Sequence, residues 1–243
     1  MKSLLKLFIG IALLAYIILA VTKFSKGDNT EACKHVNIEV TDSAQAVFIS
    51  GNEVKRLLEK KHLYPEGIPM NKIQLAEMEK ALESHQFILD AQCYKTANDA
   101  VHIKVSQRLP VMRIISADGS NYFIDSQGKR IPCNKFPADV VVATGVITPR
   151  FAKKYLASIG RYLQTDAFWN SQIEQLHVLN NGAVEVIPRV GSHIIHLGPP
   201  VKVEQKLERL RLFYSKVLNK VGWNKYNRID MEFSNQIVCT KKE

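Results

Sequence analysis

Familiar catalytic motifs are absent from this 243-residue sequence. It contains no G-x-S-x-G nucleophile elbow, no phosphate-binding P-loop and no G-x-G-x-x-G dinucleotide loop. Its seven histidines include no H-E-x-x-H pair, which excludes the zinc-protease arrangement on a helix. The sequence therefore predicts no catalytic residue and no cofactor, and we expect a protein that is not an enzyme. An enzyme whose acid, base and nucleophile meet only in the folded chain is the alternative.

Cysteine is scarce, with four residues and no C-x-x-C spacing. This excludes zinc-ribbon and thioredoxin-like sites. Four cysteines in an exported domain allow three disulfide pairings that the sequence cannot rank. Small buried thiols that never pair are the second interpretation, which we favour. The residues are Cys33, Cys93, Cys133 and Cys239.

Two histidines and two aspartates are the remaining candidates for chemistry. His193 and His196 lie three residues apart in a predicted strand, so their side chains point to opposite faces and cannot share one metal ion. Asp125 precedes a turn that Asx hydrogen bonds explain, and Asp230 is expected to cap the backbone where a strand starts. The sequence therefore predicts no metal site.

Basic residues outnumber acidic ones and give a net charge of +10. Such a charge favours acidic partners. The basic residues are interleaved with acidic ones, as in 202–211, and form no aromatic-interleaved stripe of the kind that binds single strands. We expect neither a nucleic acid nor a small-molecule substrate as the partner.

The first thirty residues hold one long uncharged run, over 7–21. Counted from Leu4, with Lys6 reaching the headgroups, it predicts a transmembrane helix over 4–22 after a cytoplasmic tail over 1–3. A cleaved signal peptide ending near 20–22 is the main alternative, and a soluble core helix is another. With the basic N-terminus inside, the rest of the chain lies outside the cytoplasm.

A first module follows the anchor. An alternating strand over 35–40 precedes an S-x-x-E capping box, Ser50 to Glu53, that starts a helix. A second helix over 72–84 and two strands over 87–95 and 100–108 complete it. Two helices would cover one face of a small sheet.

A second module extends to the C-terminus, and its patterns predict strands, two amphipathic helices over 151–168 and 203–221, and a final strand or bent hairpin over 229–240. The other strands are predicted over 111–116, 121–125, 173–178, 184–188 and 193–197, and 140–144 is a short apolar run.

The first module resembles a POTRA domain, with Ile49-Ser-Gly-Asn52 leading into its first helix. A single POTRA domain directly after a transmembrane helix resembles the FtsQ/DivIB family. Gln107-Arg108-Leu109-Pro110-Val111 is similar to that family's E-R-x-P-V junction, with Gln107 in place of glutamate. Tyr122-Phe-Ile-Asp125-Ser-Gln-Gly128 is similar to its hairpin motif.

The resemblance continues to about residue 241. His196-Leu-Gly198 resembles the end of a family strand, and Arg228-Ile-Asp230-Met-Glu-Phe233 resembles a strand that usually carries arginine at the position of Glu232. The resemblance implies an α+β fold. Its parts are an N-terminal transmembrane helix, a β-α-α-β-β POTRA domain over 34–108 and a mixed β domain with packed helices over 109–243.

The resemblance also implies a function. The chain is expected to be a divisome scaffold that links early and late cell-division proteins at the septum, anchored in the inner membrane with its N-terminus in the cytoplasm and its C-terminal domain in the periplasm. It would bind an FtsB/FtsL-like coiled-coil pair by strand addition. A membrane-anchored POTRA module for export or envelope assembly is the alternative.

The last predicted strand is the candidate partner-binding site, because it ends the chain and could leave one sheet edge open. An internal sheet strand is the competing interpretation. The predicted partner-binding residues are Phe233, Ser234, Asn235, Gln236, Ile237 and Val238.

Overall fold

The computed structural model describes residues 12–19, 30–41, 48–96, 98–133 and 137–242. Of the predicted transmembrane helix over 4–22, this part of the chain includes only 12–19, which are helical, and the predicted tail over 1–3 lies outside it. None of the helices it contains is long and apolar enough to cross a bilayer.

The chain forms two compact units. The first covers Met1–Glu39, Gly51–Leu82 and Ala91–Val105, and the second covers Val40–Ser50, Glu83–Asp90 and Ser106–Glu243. Residues 40–41, 48–50 and 83–90, which the sequence assigns to the first module, belong to the second unit. The predicted domain limits at 34–108 and 109–243 stay a prediction.

The N-terminal secondary structure follows the predicted order of strand, helix, helix, strand and strand. The elements are β1 (His35–Thr41), α1 (Gly51–Lys60), a short 3-10 helix (Met70–Lys72), α2 (Leu75–Glu83), β2 (Ile88–Thr96) and β3 (Ala100–Gln107). Strand β3 lies between β1 and β2 in a three-stranded sheet. Each helix buries two apolar side chains four residues apart, Val54 and Leu58 in α1 and Met78 and Leu82 in α2, as expected for helices with one buried face.

A nine-stranded mixed sheet dominates the rest of the chain. Its strands are β4 (Pro110–Ser116), β5 (Asn121–Asp125), β6 (Arg130–Pro132), β7 (Val142–Gly145), β8 (Ile173–Val178), β9 (Val184–Pro188), β10 (Ile194–Gly198), β11 (Tyr226–Asp230) and β12 (Val238–Lys241). They lie in the order β12-β11-β10-β9-β8-β7-β4-β5-β6. The pairs β4–β7, β7–β8 and β10–β11 are parallel, and the other pairs are antiparallel.

The helix predicted over 151–168 is wrong at its C-terminal end. Helix α3 runs through Pro149–Phe151, the π-helical Ala152–Leu156 and Ala157–Thr165, and it stops at Asp166, whose backbone is extended. The Asp166 side chain accepts hydrogen bonds from the backbone N–H groups of Phe168 and Trp169 and so starts a separate helix, α4 (Ala167–Gln172).

The predicted helix over 203–221 is confirmed. Helix α5 runs through Val203–Phe213, the π-helical Tyr214–Leu218 and Asn219–Val221. Helices α3, α4 and α5 contribute Leu156, Leu163, Trp169, Leu207 and Leu210 to the core of the second unit.

The sheet contributes one row of apolar side chains to that core, and the members of the row are in register across neighbouring strands. Its six members lie on six neighbouring strands and are each at most 1% exposed. Because side chains alternate between faces, the residues one position further along each strand project to the opposite face. The row consists of Ile114, Ala143, Leu176, Val186, Ile195 and Ile229.

A buried ion pair joins Arg108 to Asp125, and both side chains are only 4% exposed. The Arg108 guanidinium also donates to the Ile88 carbonyl at 3.0 Å. The second Asp125 oxygen accepts the backbone N–H groups of Gln127 at 2.9 Å and Lys129 at 2.7 Å, which confirms the predicted Asx hydrogen bonds. The pair therefore ties the segment after β3 to the turn between β5 and β6.

Gly145 closes β7 in a conformation that no other residue fits. Its φ is +99°, and a Cβ there would lie 2.1 Å from the backbone oxygen of Val178 on the neighbouring strand. A backbone oxygen in a paired strand cannot move aside without breaking the β7–β8 ladder.

Asp125→Ala should lower the free energy of unfolding of the second unit by about 3–5 kcal/mol, because it leaves the Arg108 guanidinium buried without its counter-charge. Urea unfolding followed by tryptophan fluorescence measures this, since both tryptophans, Trp169 and Trp223, lie in that unit. The control is Asp118→Ala, in an exposed turn, which should cost about 1 kcal/mol or less. Equal losses in the two variants would contradict the assigned role of the pair.

Gly145→Ala should destabilise the same unit by about 2–3 kcal/mol more than Gly119→Ala does. Both glycines have positive φ, so both variants carry the backbone strain. A Cβ at Gly119 meets no atom within 4 Å, whereas one at Gly145 meets the Val178 carbonyl. The difference between the two urea midpoints isolates the steric clash, and no difference would disprove it.

Candidate functional site at the end of the large sheet

The two ends of the nine-stranded sheet differ in their capacity to pair with a further strand. Strand β6, at one end, has three residues and includes Pro132, which has no N–H to donate. Strand β12, at the other end, has no proline, and no strand in the described part of the chain pairs with its outer side. The β12 edge is therefore the better candidate for strand addition.

The continuous strand predicted over 229–240 is wrong, and the bent hairpin offered with it is the observed form. Strand β11 ends at Asp230, β12 begins at Val238, and the two pair antiparallel across the connection 231–237. Of the predicted partner-binding residues, Phe233, Ser234, Asn235, Gln236 and Ile237 lie in that connection, and only Val238 lies in β12.

Two apolar side chains at this site point into solvent. Phe233 is 50% exposed and Val238 is 46% exposed. Ile237, which precedes Val238 in the chain, packs against the core. Exposed large apolar side chains beside an open strand edge are suited to burial by a partner.

Arg209 of helix α5 holds the connection in place. Its guanidinium donates to the backbone oxygens of Phe233 at 2.8 Å and Gln236 at 3.0 Å. Sequence reasoning missed this residue, because backbone carbonyls accept these hydrogen bonds and no side-chain pattern reveals them. The shape of the connection depends on a contact between α5 and the end of the sheet.

A mainly basic groove lies beside the connection. It has a volume of about 380 Å³, and its charged residues are Lys202, Lys206, Arg209 and Glu232. The Lys206 ammonium donates to the Leu197 oxygen at 2.5 Å and the Pro199 oxygen at 3.0 Å, and burial lowers its pKa. Three cationic side chains against one carboxylate suit an acidic partner segment.

Polar residues form a second row across the sheet, one position along each strand from the apolar row. In it Glu185, His196 and Asp230 are neighbours in register on β9, β10 and β11. His196 Nδ1 lies 3.4 Å from Glu185 Oε1, and His196 Nε2 lies 3.6 Å from Glu232 Oε2. Asp230 ends its strand rather than starting it, which corrects the sequence prediction, and it accepts the Glu232 backbone N–H at 2.9 Å.

His193 has different surroundings from His196. It precedes β10, is 2% exposed, and its Nε2 lies 2.9 Å from the Tyr214 hydroxyl. Its ring also packs near the Trp223 ring. Burial lowers the pKa of His193, so the ring is neutral in the folded protein at pH 7. The two histidines therefore occupy separate sites, although His193 precedes β10 rather than lying in the strand as predicted.

Two family models match the chain. Residues 109–240, more than half of the chain, match the one described as FtsQ/DivIB, C-terminal related, and residues 31–106 match the one described as a POTRA-like domain. No curated protein matches the sequence. The connection, the basic groove and all of the candidate edge except Lys241 fall within the first matched range.

Acidification should destabilise the second unit partly through His193. As the pH falls through about 6.5, His193 gains a proton in the unfolded chain while the buried ring stays neutral, so the free energy of unfolding drops. In His193→Gln this contribution is absent. The stability difference between wild type and variant, measured by urea unfolding from pH 7.5 to 5.5, should therefore shrink.

Tyr214→Phe is the matched control, because it removes the hydroxyl that bonds His193 and keeps the buried imidazole. It should retain the loss of stability on acidification. A pH dependence that is the same in wild type and His193→Gln would show that other groups cause it.

Proposed function

The chain belongs to the FtsQ/DivIB family, a non-catalytic family of cell-division proteins, and from that premise we propose that it is a divisome scaffold that binds an FtsB/FtsL-like coiled-coil pair at the β12 edge. The observation that carries the proposal is a proline-free edge strand at the end of the family-matched range, with which no other strand of the described chain pairs on its outer side. The family associates with membranes at the division septum. The specific partner and the linking role belong to the proposal.

Strand addition would supply the affinity. The outer side of β12 offers backbone N–H and C=O groups to an extended segment of the partner. The exposed side chains of Phe233 and Val238 would lie against that segment and lose solvent contact. Burial of such side chains contributes about 25 cal/mol per Å² of apolar surface.

The basic groove would select the partner by charge. Acidic residues that flank the added strand would face Lys202 and Arg209, next to the connection that Arg209 holds. Glu232 stands where the family motif has arginine, so a partner matched to this chain would avoid an acidic residue at that contact or place a basic one there.

The POTRA-like domain would add a second binding surface, and the predicted transmembrane helix would set the location in the cell. The POTRA-like domain is a second surface, for upstream division proteins. A transmembrane helix over 4–22 would confine the chain to the inner membrane, with the N-terminus in the cytoplasm and both units in the periplasm. Confinement to one membrane raises the effective concentration of partners anchored there.

Val238→Asp should weaken binding of the coiled-coil pair at least tenfold, about 1.4 kcal/mol, because it places a charge where the added strand would bury an apolar side chain. Binding of the purified full chain to the cognate pair, both in detergent, measures the effect. Val190→Asp is the control, since Val190 is also 46% exposed but lies between β9 and β10.

The same two variants, labelled at Met1, test the role in dividing cells depleted of the native copy. Wild type and Val190→Asp should form a band at the division site and restore division, and Val238→Asp should restore it poorly. Equal binding and equal rescue by both variants would disprove the edge site, and an even envelope signal from wild type would disprove the scaffold itself.

A further inference from the structure

Three potential ligand groups for a metal ion converge near the end of the polar row. The His196 imidazole, the Asp230 carboxylate and the Glu232 carboxylate each offer one ligand atom, and these atoms all lie within 4.8 Å of one another. They come from β10, from the last residue of β11 and from the start of the connection 231–237. The spacing of His193 and His196 does not reveal these three groups, because the pairing of β10 with β11 brings His196 and Asp230 together.

We propose that His196, Asp230 and Glu232 form a binding site for a divalent transition-metal ion of the Zn²⁺ class. Ligand atoms around one zinc ion stand about 3–3.5 Å apart, given bonds of about 2.0–2.2 Å. His196 Nε2 and Glu232 Oε2 are already 3.6 Å apart. The Glu232 side chain is 46% exposed and can rotate to close the remaining distance.

The second ring nitrogen of His196 lies near a carboxylate. Histidine ligands usually donate their other ring N–H to a carboxylate, which fixes the tautomer. His196 Nδ1 is buried, makes no hydrogen bond and lies 3.4 Å from Glu185 Oε1. Glu185 is itself held by Arg228 Nη1 at 2.7 Å. This arrangement leaves His196 Nε2 directed towards the two carboxylates.

Gly198 opens the space that Glu232 occupies. A Cβ at Gly198 would lie 2.9 Å from Glu232 Cγ, so any larger residue would displace that side chain.

The ligand set decides the class of ion. Imidazole favours zinc and its neighbours over Mg²⁺ and Ca²⁺, which prefer oxygen ligands alone. Three protein ligands leave a position for water or for a group from a partner. Because Glu232 lies near the start of the connection and Asp230 ends β11, a bound ion would fix the connection to β10, next to the β12 edge.

Zinc binding can be measured without any partner, so its outcome is separate from that of the proposed function. The purified full chain in detergent, stripped with chelator, is titrated with Zn²⁺ by calorimetry. We expect one equivalent to bind, with at least tenfold weaker binding in Glu232→Gln, whose exposed side chain is not needed for folding, and in His196→Asn. Glu185→Gln should weaken binding about 10–100-fold. Glu174→Gln, an exposed carboxylate paired with Arg189, is the control and should bind normally.

Co²⁺ as a second probe separates this site from the thiols, because all four cysteines are free. Imidazole and carboxylate ligands should give only weak visible bands, whereas thiolate ligands add intense charge-transfer absorption in the near ultraviolet. Thiolate absorption, binding unchanged in Glu232→Gln and His196→Asn, or no equimolar Zn²⁺ binding would each overturn the proposal. In the last case the cluster is an ion-pair network only.

Discussion

The buried pair between Arg108 and Asp125 is the constraint on which the second unit depends. Two charges at 4% exposure are tolerated because they pair with each other and with the backbone. The guanidinium binds Asp125 and the Ile88 carbonyl, although its Nε is buried without a hydrogen-bond partner, and the carboxylate binds Arg108 and two backbone N–H groups. The pair joins two motifs that lie apart in the sequence, the Q-R-x-P-V junction and the Y-F-I-D-S-Q-G hairpin. It sets where β4 leaves the junction and how β5 turns into β6.

The large sheet places an apolar row of side chains on one face and a polar row on the other. Ile195 and Ile229 belong to the apolar row that packs beneath the helices, while His196 and Asp230, one position further on, belong to the polar row. Side chains along a strand alternate with a period of two residues, so one register places the apolar row in the core and the polar row on the opposite face. A shift of β11 by one residue would bury Asp230 and expose Ile229, which ties the geometry of the polar cluster to the stability of the core.

Local patterns predicted much of the fold. Helix α5 and most strands follow from apolar periodicity, because their buried faces repeat regularly along the chain. Other features were missed where a short-range contact overrode the pattern. Asp166 interrupts an otherwise continuous helical stripe by capping α4, and three-residue β6 carries too few side chains to show a period. The connection 231–237 depends on Arg209, whose carbonyl partners have no sequence signature.

The sequence alone determined the order of most elements, the absence of familiar catalytic motifs and the family, because these are properties of neighbouring residues and of motif order. Only the tertiary structure decided which strand ends the sheet, that Val238 alone of the six predicted residues lies in it, and that His196 meets Asp230 and Glu232 rather than His193. The packing of the whole sheet determines which strands far apart in the chain become neighbours. No local sequence pattern encodes this pairing.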